Sequence, residues 1–292
     1  MSSTSKNSSR PPIRNIIVSC LKYLLAISVV IWTLAPFTWL ILSSISTKAD
    51  LTSLPPRWIP RVPTFESYYE ILFGGRLSFG ESFRFGALNS LVVSISSTCL
   101  ALIIGMPAAY ALSRLRFKGS AMVFITTLIT QILPPITIAI PLYMIWMNLK
   151  LLDTYPGLIL IYTVFILPFV VWILYGYFQA IPKELDEAAV VDGCSRIGAL
   201  FRIVLPLSAP GIAATAIFCF IVAWNEFFYA LVFTAVNTKT LPIAIAEFLT
   251  KHGSEYTKLA VCGVVASIPP ITVALLFQRY IVSGLIRGAL KA

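Results

Sequence analysis

The sequence predicts an all-α integral membrane protein that crosses the bilayer six times. Three observations carry that expectation. Hydrophobic residues fill 58% of the 292 positions and charged residues only 12%, about half the ~25% usual in soluble domains. Uncharged runs of the ~20 residues needed to cross a hydrocarbon core occur six times. The 22 Lys and Arg then divide unevenly between the two sides that six crossings define.

The six runs are 23–47, 85–113, 119–149, 154–182, 203–225 and 259–278. The first follows a polar, basic stretch, as a signal peptide would. It is longer than a signal core of 7–15 residues and lacks a small-x-small cleavage site, so it reads as a span. The third run is longer than one crossing needs and holds Pro134, Pro135 and Pro141. These predict kinks or local unwinding, which membrane bundles accept when neighbours satisfy the freed carbonyls. Only residues 150–153 separate the third and fourth runs, a short polar turn.

Both termini fall on one side, which carries thirteen of the basic residues against nine on the other. Basic short loops mark the cytoplasmic face, so both termini and the loop 182–206 are expected there. The layout is a cytoplasmic tail over 1–22, a six-span membrane domain over 23–281 and a cytoplasmic C-terminal tail over 282–292. The net charge of +10 is mostly this asymmetry and not a nucleic-acid footprint. Five cysteines, most of them in apolar runs, give neither a disulfide framework nor a metal spacing, and a single histidine, His252, cannot make a histidine metal site.

One segment departs from the apolar background. ELDEAAVVDGCSRIGALFRIVLP, residues 184–206, holds four acids, two arginines and two glycines. Local rules predict two short helices. Pro182 suits a first helical position, and Glu184, Asp186 and Glu187 fall where the helix dipole favours negative charge. Gly193 fits the left-handed residue that ends a helix, and Ser195 can cap the next. That second helix spaces Ile197, Leu200, Phe201 and Val204 by threes and fours, until Pro206 stops it. Such a hairpin either lies on lipid headgroups or projects into a partner. Its acidic first half fits the lipid surface poorly, since interfacial helices favour Lys and Arg.

The spacing Glu187-Ala188-Ala189, three residues, Gly193, nine residues, Ile203-x-Leu205-Pro206 resembles the EAA loop of ATP-binding-cassette (ABC) importer permeases. AAYALSRLRFKGS at 108–120, LLDTYPGLIL at 151–160, AWNEFFYAL at 223–231 and the C-terminal GLIRGALK are similar to the maltose-type sugar subgroup. The resemblance implies a type I importer permease fold with a cytoplasmic coupling-helix loop. It further implies docking of that loop on a separate ABC ATPase dimer, a second homologous permease, and an extracytoplasmic binding protein received by the long outer loops. Glu187, Ala188, Ala189, Gly193, Ile203, Leu205 and Pro206 are then the docking residues. This chain would bind no cofactor, ATP and Mg being held by the ATPase, and it contains no G-x-x-x-x-G-K-[ST] phosphate loop.

Polar residues in apolar runs mark candidates for a substrate path. Glu226 is a carboxylate in a long apolar stretch, costly there unless it faces a polar cavity or a partner group. Two readings stand: a gate residue beside Asn225 able to bind sugar hydroxyls, or a structural carboxylate. Gln131, beside Pro134 and Pro135, is the other candidate. Trp224, Phe227, Phe228 and Tyr229 fit either sugar stacking or an interfacial aromatic belt. An ion-coupled secondary transporter using Glu226 is the alternative, although the halves show no internal repeat of the kind common in that class. A membrane enzyme lacks any nucleophile with a visible base, histidine cluster or carboxylate pair.

Overall fold

The computed structural model describes residues 13–55, 57–75, 79–115, 117–252 and 255–289, with the backbone alone at 13–17, 250–252 and 279–289. Among them there is no strand. Helices run in the order α1 (Ile13–Ser44), α2 (Lys48–Leu51), α3 (Glu66–Phe73), α4 (Phe79–Arg114), α5 (Ser120–Ile129), α6 (Pro135–Asn148), α7 (Tyr155–Ala180), α8 (Lys183–Val191), α9 (Arg196–Ala199), a π turn (Leu200–Val204), α10 (Leu205–Leu207), α11 (Ala209–Trp224), α12 (Phe228–Phe233), α13 (Leu241–His252) and α14 (Tyr256–Ala289).

Four described helices are long and apolar enough to cross a bilayer: α1 over Val18–Ser44, α4, α7, and α14 over Tyr256–Gln278. The other two runs are interrupted. The third breaks at 130–134 into α5 and α6, where Pro134 and Pro135 remove two backbone donors in succession. The fifth is shorter than expected, because its first residues belong to a separate arm that meets α11 at 80°. Helix α1 starts at Ile13 and α14 continues to Ala289, so both enter stretches assigned to tails by sequence. Residues 1–12 and 290–292, including the last two residues of GLIRGALK, lie outside the described residues, as do Arg76 and Arg116.

Two compact units make up the chain. The first holds 1–67 and Tyr256–Val264. In it, Trp39 meets Trp58 edge-on with centroids 4.9 Å apart, and the Thr257 hydroxyl donates to the Ser46 carbonyl at 3.3 Å. Gly263 lets Leu40 approach to where an added Cβ would stand 3.2 Å away. Within Val18–Ser44 the apolar side chains are largely exposed, Trp32 to 85%. In a bilayer that surface meets acyl chains or another helix.

The second unit is built on α4 and α7, which run parallel. Tyr155 meets Asn89 near their starts, and Arg114 meets Ile181 near their ends. On α4 the buried residues Ser90, Ser94, Ser97, Ala101, Gly105 and Ala109 recur every three or four positions, a small-residue seam that lets membrane helices approach closely. Gly105 shows how closely, since a Cβ there would lie 2.5 Å from Val170 Cγ1. Helix α11 completes this core through Cys219, beside Ala101 and Leu174. Gly211 leaves space for the Tyr177 ring, which an added Cβ would meet at 2.5 Å.

Candidate functional site

The segment 182–208 forms the predicted hairpin, with two differences. Helix α8 starts at Lys183, so Pro182 is its cap and not its first helical residue. Gly193 takes φ +89° as predicted, a conformation costly for any residue with a Cβ. Ser195 caps the next helix, its Oγ accepting the Gly198 N–H at 3.0 Å. Pro206 does not stop that helix. The chain widens into a π turn, where the Leu205 N–H reaches the Leu200 carbonyl, continues to Leu207, and turns at the buried Ser208. A proline tolerated this way removes one helical donor, and the wider ladder upstream absorbs the gap.

Each face of the hairpin has a distinct character. Asp186, Ala189, Ala199, Leu200 and Val204 are buried, and the last two join the α4–α7–α11 core. Glu187, Ala188, Gly193 and Pro206 are exposed, while Ile203 and Leu205 are half-buried. The seven motif residues therefore do not share one surface. Beside the exposed ones stand Val191 at 86%, Ile197 at 70% and Phe201 at 59% exposure, an apolar face that the motif does not include.

Arg114, the last residue of α4, anchors this hairpin. Its Nε lies 3.0 Å from Asp186 Oδ2, with both side chains largely buried, and its Nη2 donates to the Ile181 carbonyl at 2.7 Å. The contact with Asp186 is close in distance without hydrogen-bond alignment, an attraction of charge. Burial pushes the Asp186 carboxyl up against the opposing pull of Arg114 and Arg196. Sequence reading gave Asp186 only a dipole role.

At the other end of α7, Asp153 takes φ +54° and directs its carboxylate into the turn after α12. It accepts the backbone N–H groups of Ala235, Val236, Asn237 and Thr238 at 3.0–3.1 Å, together with Asn237 Nδ2 and Thr238 Oγ1. Burial alone raises a carboxyl; here the four backbone donors outweigh it and hold Asp153 well below the usual carboxylate range. Asn89 supports the same turn, its Nδ2 donating to the carbonyls of Asn237 and Lys239.

The pathway candidates separate. Gln131 Nε2 donates to the Phe165 carbonyl at 3.1 Å, close to where Pro168 interrupts the ladder of α7. Gln131 lines a cavity of about 560 Å³ with Leu142, Trp146, Phe165 and Tyr229. Glu226 turns its carboxylate onto its own chain, accepting the N–H of Tyr229 at 3.0 Å and of Ala230 at 3.2 Å. That satisfies donors at the start of α12. Asn225 is exposed and donates to the Ile221 carbonyl at 2.8 Å; neither it nor Glu226 lines the Gln131 cavity. Trp224 and Tyr229 are buried and Phe227 is exposed, so the aromatic group does not form one stacking surface. Among the described residues no group of His, Cys, Asp and Glu could hold a metal.

Residues 101–287 match the family described as binding-protein-dependent transport system inner membrane component. The chain is 36% identical over 272 residues to the sulfoquinovosyl glycerol transport system permease protein SmoH of Agrobacterium fabrum, covering 93% of each chain. It is 39% identical over 268 residues to the trehalose/maltose transport system permease protein MalG of Thermococcus litoralis, covering 91% of this chain and 94% of that one. In fold it is similar to a chain of a bacterial ABC transporter involved in alginate import, with a TM-score of 0.75, 23% identity, and 94% and 99% of the two chains covered. Fold and relatives together define a membrane permease, a transport component and not an enzyme. The chain belongs to the family of inner-membrane components of binding-protein-dependent transport systems. Nothing in that membership supports the ion-coupled alternative built on Glu226, whose carboxylate already serves the backbone of α12.

Proposed function

We propose that this chain is one permease half of an ATP-driven importer for a sugar, a di- or oligosaccharide or a related polyol or glycerol phosphate. The sugar class is supported by two relatives named for sulfoquinovosyl glycerol and for trehalose/maltose. In this reading the chain crosses the membrane six times, counting α5 with α6 as one span and α11 as another, its bent arm belonging to the hairpin. Both termini and the hairpin 182–206 face the cytoplasm, in accord with the basic residues there. A second permease completes the pathway, a binding protein delivers the sugar outside, and an ABC ATPase dimer holds ATP and Mg.

The hairpin carries the proposal. It is anchored on one side and presents Glu187, Val191, Ile197 and Phe201 on the other, an acidic and apolar surface that suits a protein cleft better than water. Glu187, Ala188, Ala189, Gly193, Ile203, Leu205 and Pro206 act in docking, the exposed ones by contact and the others by shaping the hairpin. Gln131, Asn225 and Glu226 are the polar positions of this half of the pathway, Glu226 acting through the placement of α12 and Tyr229.

Purification of the tagged chain from its native membrane in mild detergent, with mass spectrometry of retained proteins, tests this directly. An ATPase with a phosphate loop and a second permease are expected. In the Gly193→Pro variant, which forces φ negative and deletes the N–H bonded to the Val190 carbonyl at 3.1 Å, membrane insertion persists and the ATPase is lost. A chain that purifies alone, or a Gly193→Pro variant that keeps its ATPase, overturns the docking role.

A further inference from the structure

The hairpin is joined to the membrane core by apolar packing and by one buried pair of charges. The packing consists of Leu200 and Val204 in one buried cluster with Tyr110, Leu174 and Phe178. The charges need another explanation, because a buried ion pair is often no more stabilising than apolar residues of similar volume. Their placement supplies one. Arg114 ends α4, the helix at the centre of the unit, and its guanidinium is fixed by the bond to Ile181, the cap of α7. The Nε edge left over faces Asp186 at 3.0 Å, with the two side chains 3% and 11% exposed. Arg196 and Glu187 are the other charges that act on Asp186, and both are exposed. Asp186 is also the buried charge of α8, whose remaining acids Glu184 and Glu187 face outward.

We propose that the Arg114–Asp186 pair is the strut that makes α4 follow α8 when the docked ATPase moves it, so that both residues position the pathway without touching substrate. The proposal rests on the docking role assigned to the hairpin. A contact held by charge keeps its grip through small rotations that would break an aligned hydrogen bond. An apolar contact resists separation only while its surfaces remain flush. The pair is therefore suited to transmitting displacement between two helices that do not stay in one orientation.

The test uses the full complex with its ATPase, in lipid nanodiscs, with Cys20, Cys99 and Cys194 replaced by Ser. Nitroxide labels are placed at Ile104 on α4 and at Leu185 on α8, both exposed and outside the surface assigned to docking. Their separation is measured without nucleotide and after trapping with ADP and vanadate. For the parent complex one separation is expected in both states, changing by less than the ~2 Å of ordinary helix shifts. In Asp186→Asn the nucleotide-free separation matches the parent, and trapping opens it as α8 moves and α4 lags. The exchanged pair, Arg114→Asp with Asp186→Arg, returns the single separation.

An Asp186→Asn complex that matches the parent in both states overturns the strut. So does one already altered without nucleotide and unchanged by trapping, which marks a static anchor. Where Asp186→Asn fails to assemble, the exchanged pair decides: one separation in both states supports the strut, and a broad distribution or no assembly overturns it. Absence of the ATPase from the parent complex is visible before any labelling, and it removes the docking role itself.

Discussion

The carboxylate of Asp153 accepts the backbone N–H of Asn237 through both oxygens, at 3.1 and 3.0 Å, across 84 residues of sequence. With the neighbouring donors, this one side chain fixes the turn between α12 and α13 to the start of α7. Hydrogen bonds to charged groups contribute ~1.5–3 kcal/mol each net, and bonds sharing one carboxylate do not add. Asp153→Asn, which loses an acceptor and the charge, is expected to cost about 2–3 kcal/mol, read as a lower thermal midpoint in detergent.

The same carboxylate sets a pH dependence. Its folded pKa lies below the ordinary value of 3.8, so the unfolded chain takes up the proton first as pH falls. The stabilisation is complete above the ordinary carboxylate range and is lost as pH drops from there through the folded value. Thermal midpoints of the parent should fall more steeply below pH 4 than those of Asp153→Asn, and parallel curves would remove Asp153 from the account.

Glu226 serves the backbone of α12. Glu226→Gln keeps an acceptor and should retain uptake within about twofold, whereas Glu226→Ala leaves two donors unserved and costs about 1 kcal/mol, as for a lost helix cap. Uptake abolished equally by Gln and Ala would show that the charge itself acts in transport.

Gly105 sits in the α4–α7 seam, where a Cβ would strike Val170 at 2.5 Å. Gly105→Val should lose about 1–3 kcal/mol or more through overpacking and lower the yield of monodisperse protein. Gly176, on α7, has nothing within 4 Å of an added Cβ. Gly176→Ala should therefore be neutral or gain up to ~1 kcal/mol from helix propensity.

Ile197 and Phe201 project from the hairpin away from its anchored face. Their joint replacement by Ser should reduce retained ATPase more than tenfold, since anchor residues at interfaces contribute ~2 kcal/mol or more each. The thermal midpoint of the permease alone should barely move. A lowered midpoint with normal ATPase retention would assign these residues to folding.

What could be read from the chain in advance was local. Gly193, Ser195 and the break before Pro135 announce themselves because turn chemistry acts over a few residues, and the apolar runs because bilayer thickness fixes their length. Helix α13 lies between the last two apolar runs, where the sequence alone predicts only a long connection. Pro206 misled because a proline breaks a standard ladder, and no local signal foretold a π turn. The Asp153 cradle and the Arg114–Asp186 pair were beyond reach, since each joins residues more than seventy positions apart. Nothing in LLDTYPG or ELDEAA alone reveals which distant backbone or guanidinium will meet the acid.

The turn at Ser208 gives the arm from Arg196 to Leu207 a mechanical meaning. Twelve residues of helix extend ~18 Å, set at 80° to α11, which is the geometry of a crank. A sideways push of ~3 Å at the tip of such an arm rotates its root by about 10° about the axis of the helix it meets. With the hairpin docked outside the bilayer as proposed, a modest displacement there would become a twist of α11 within it. The buried residues of α11, Thr215 and Cys219 among them, would change which neighbours they face while staying at the same depth.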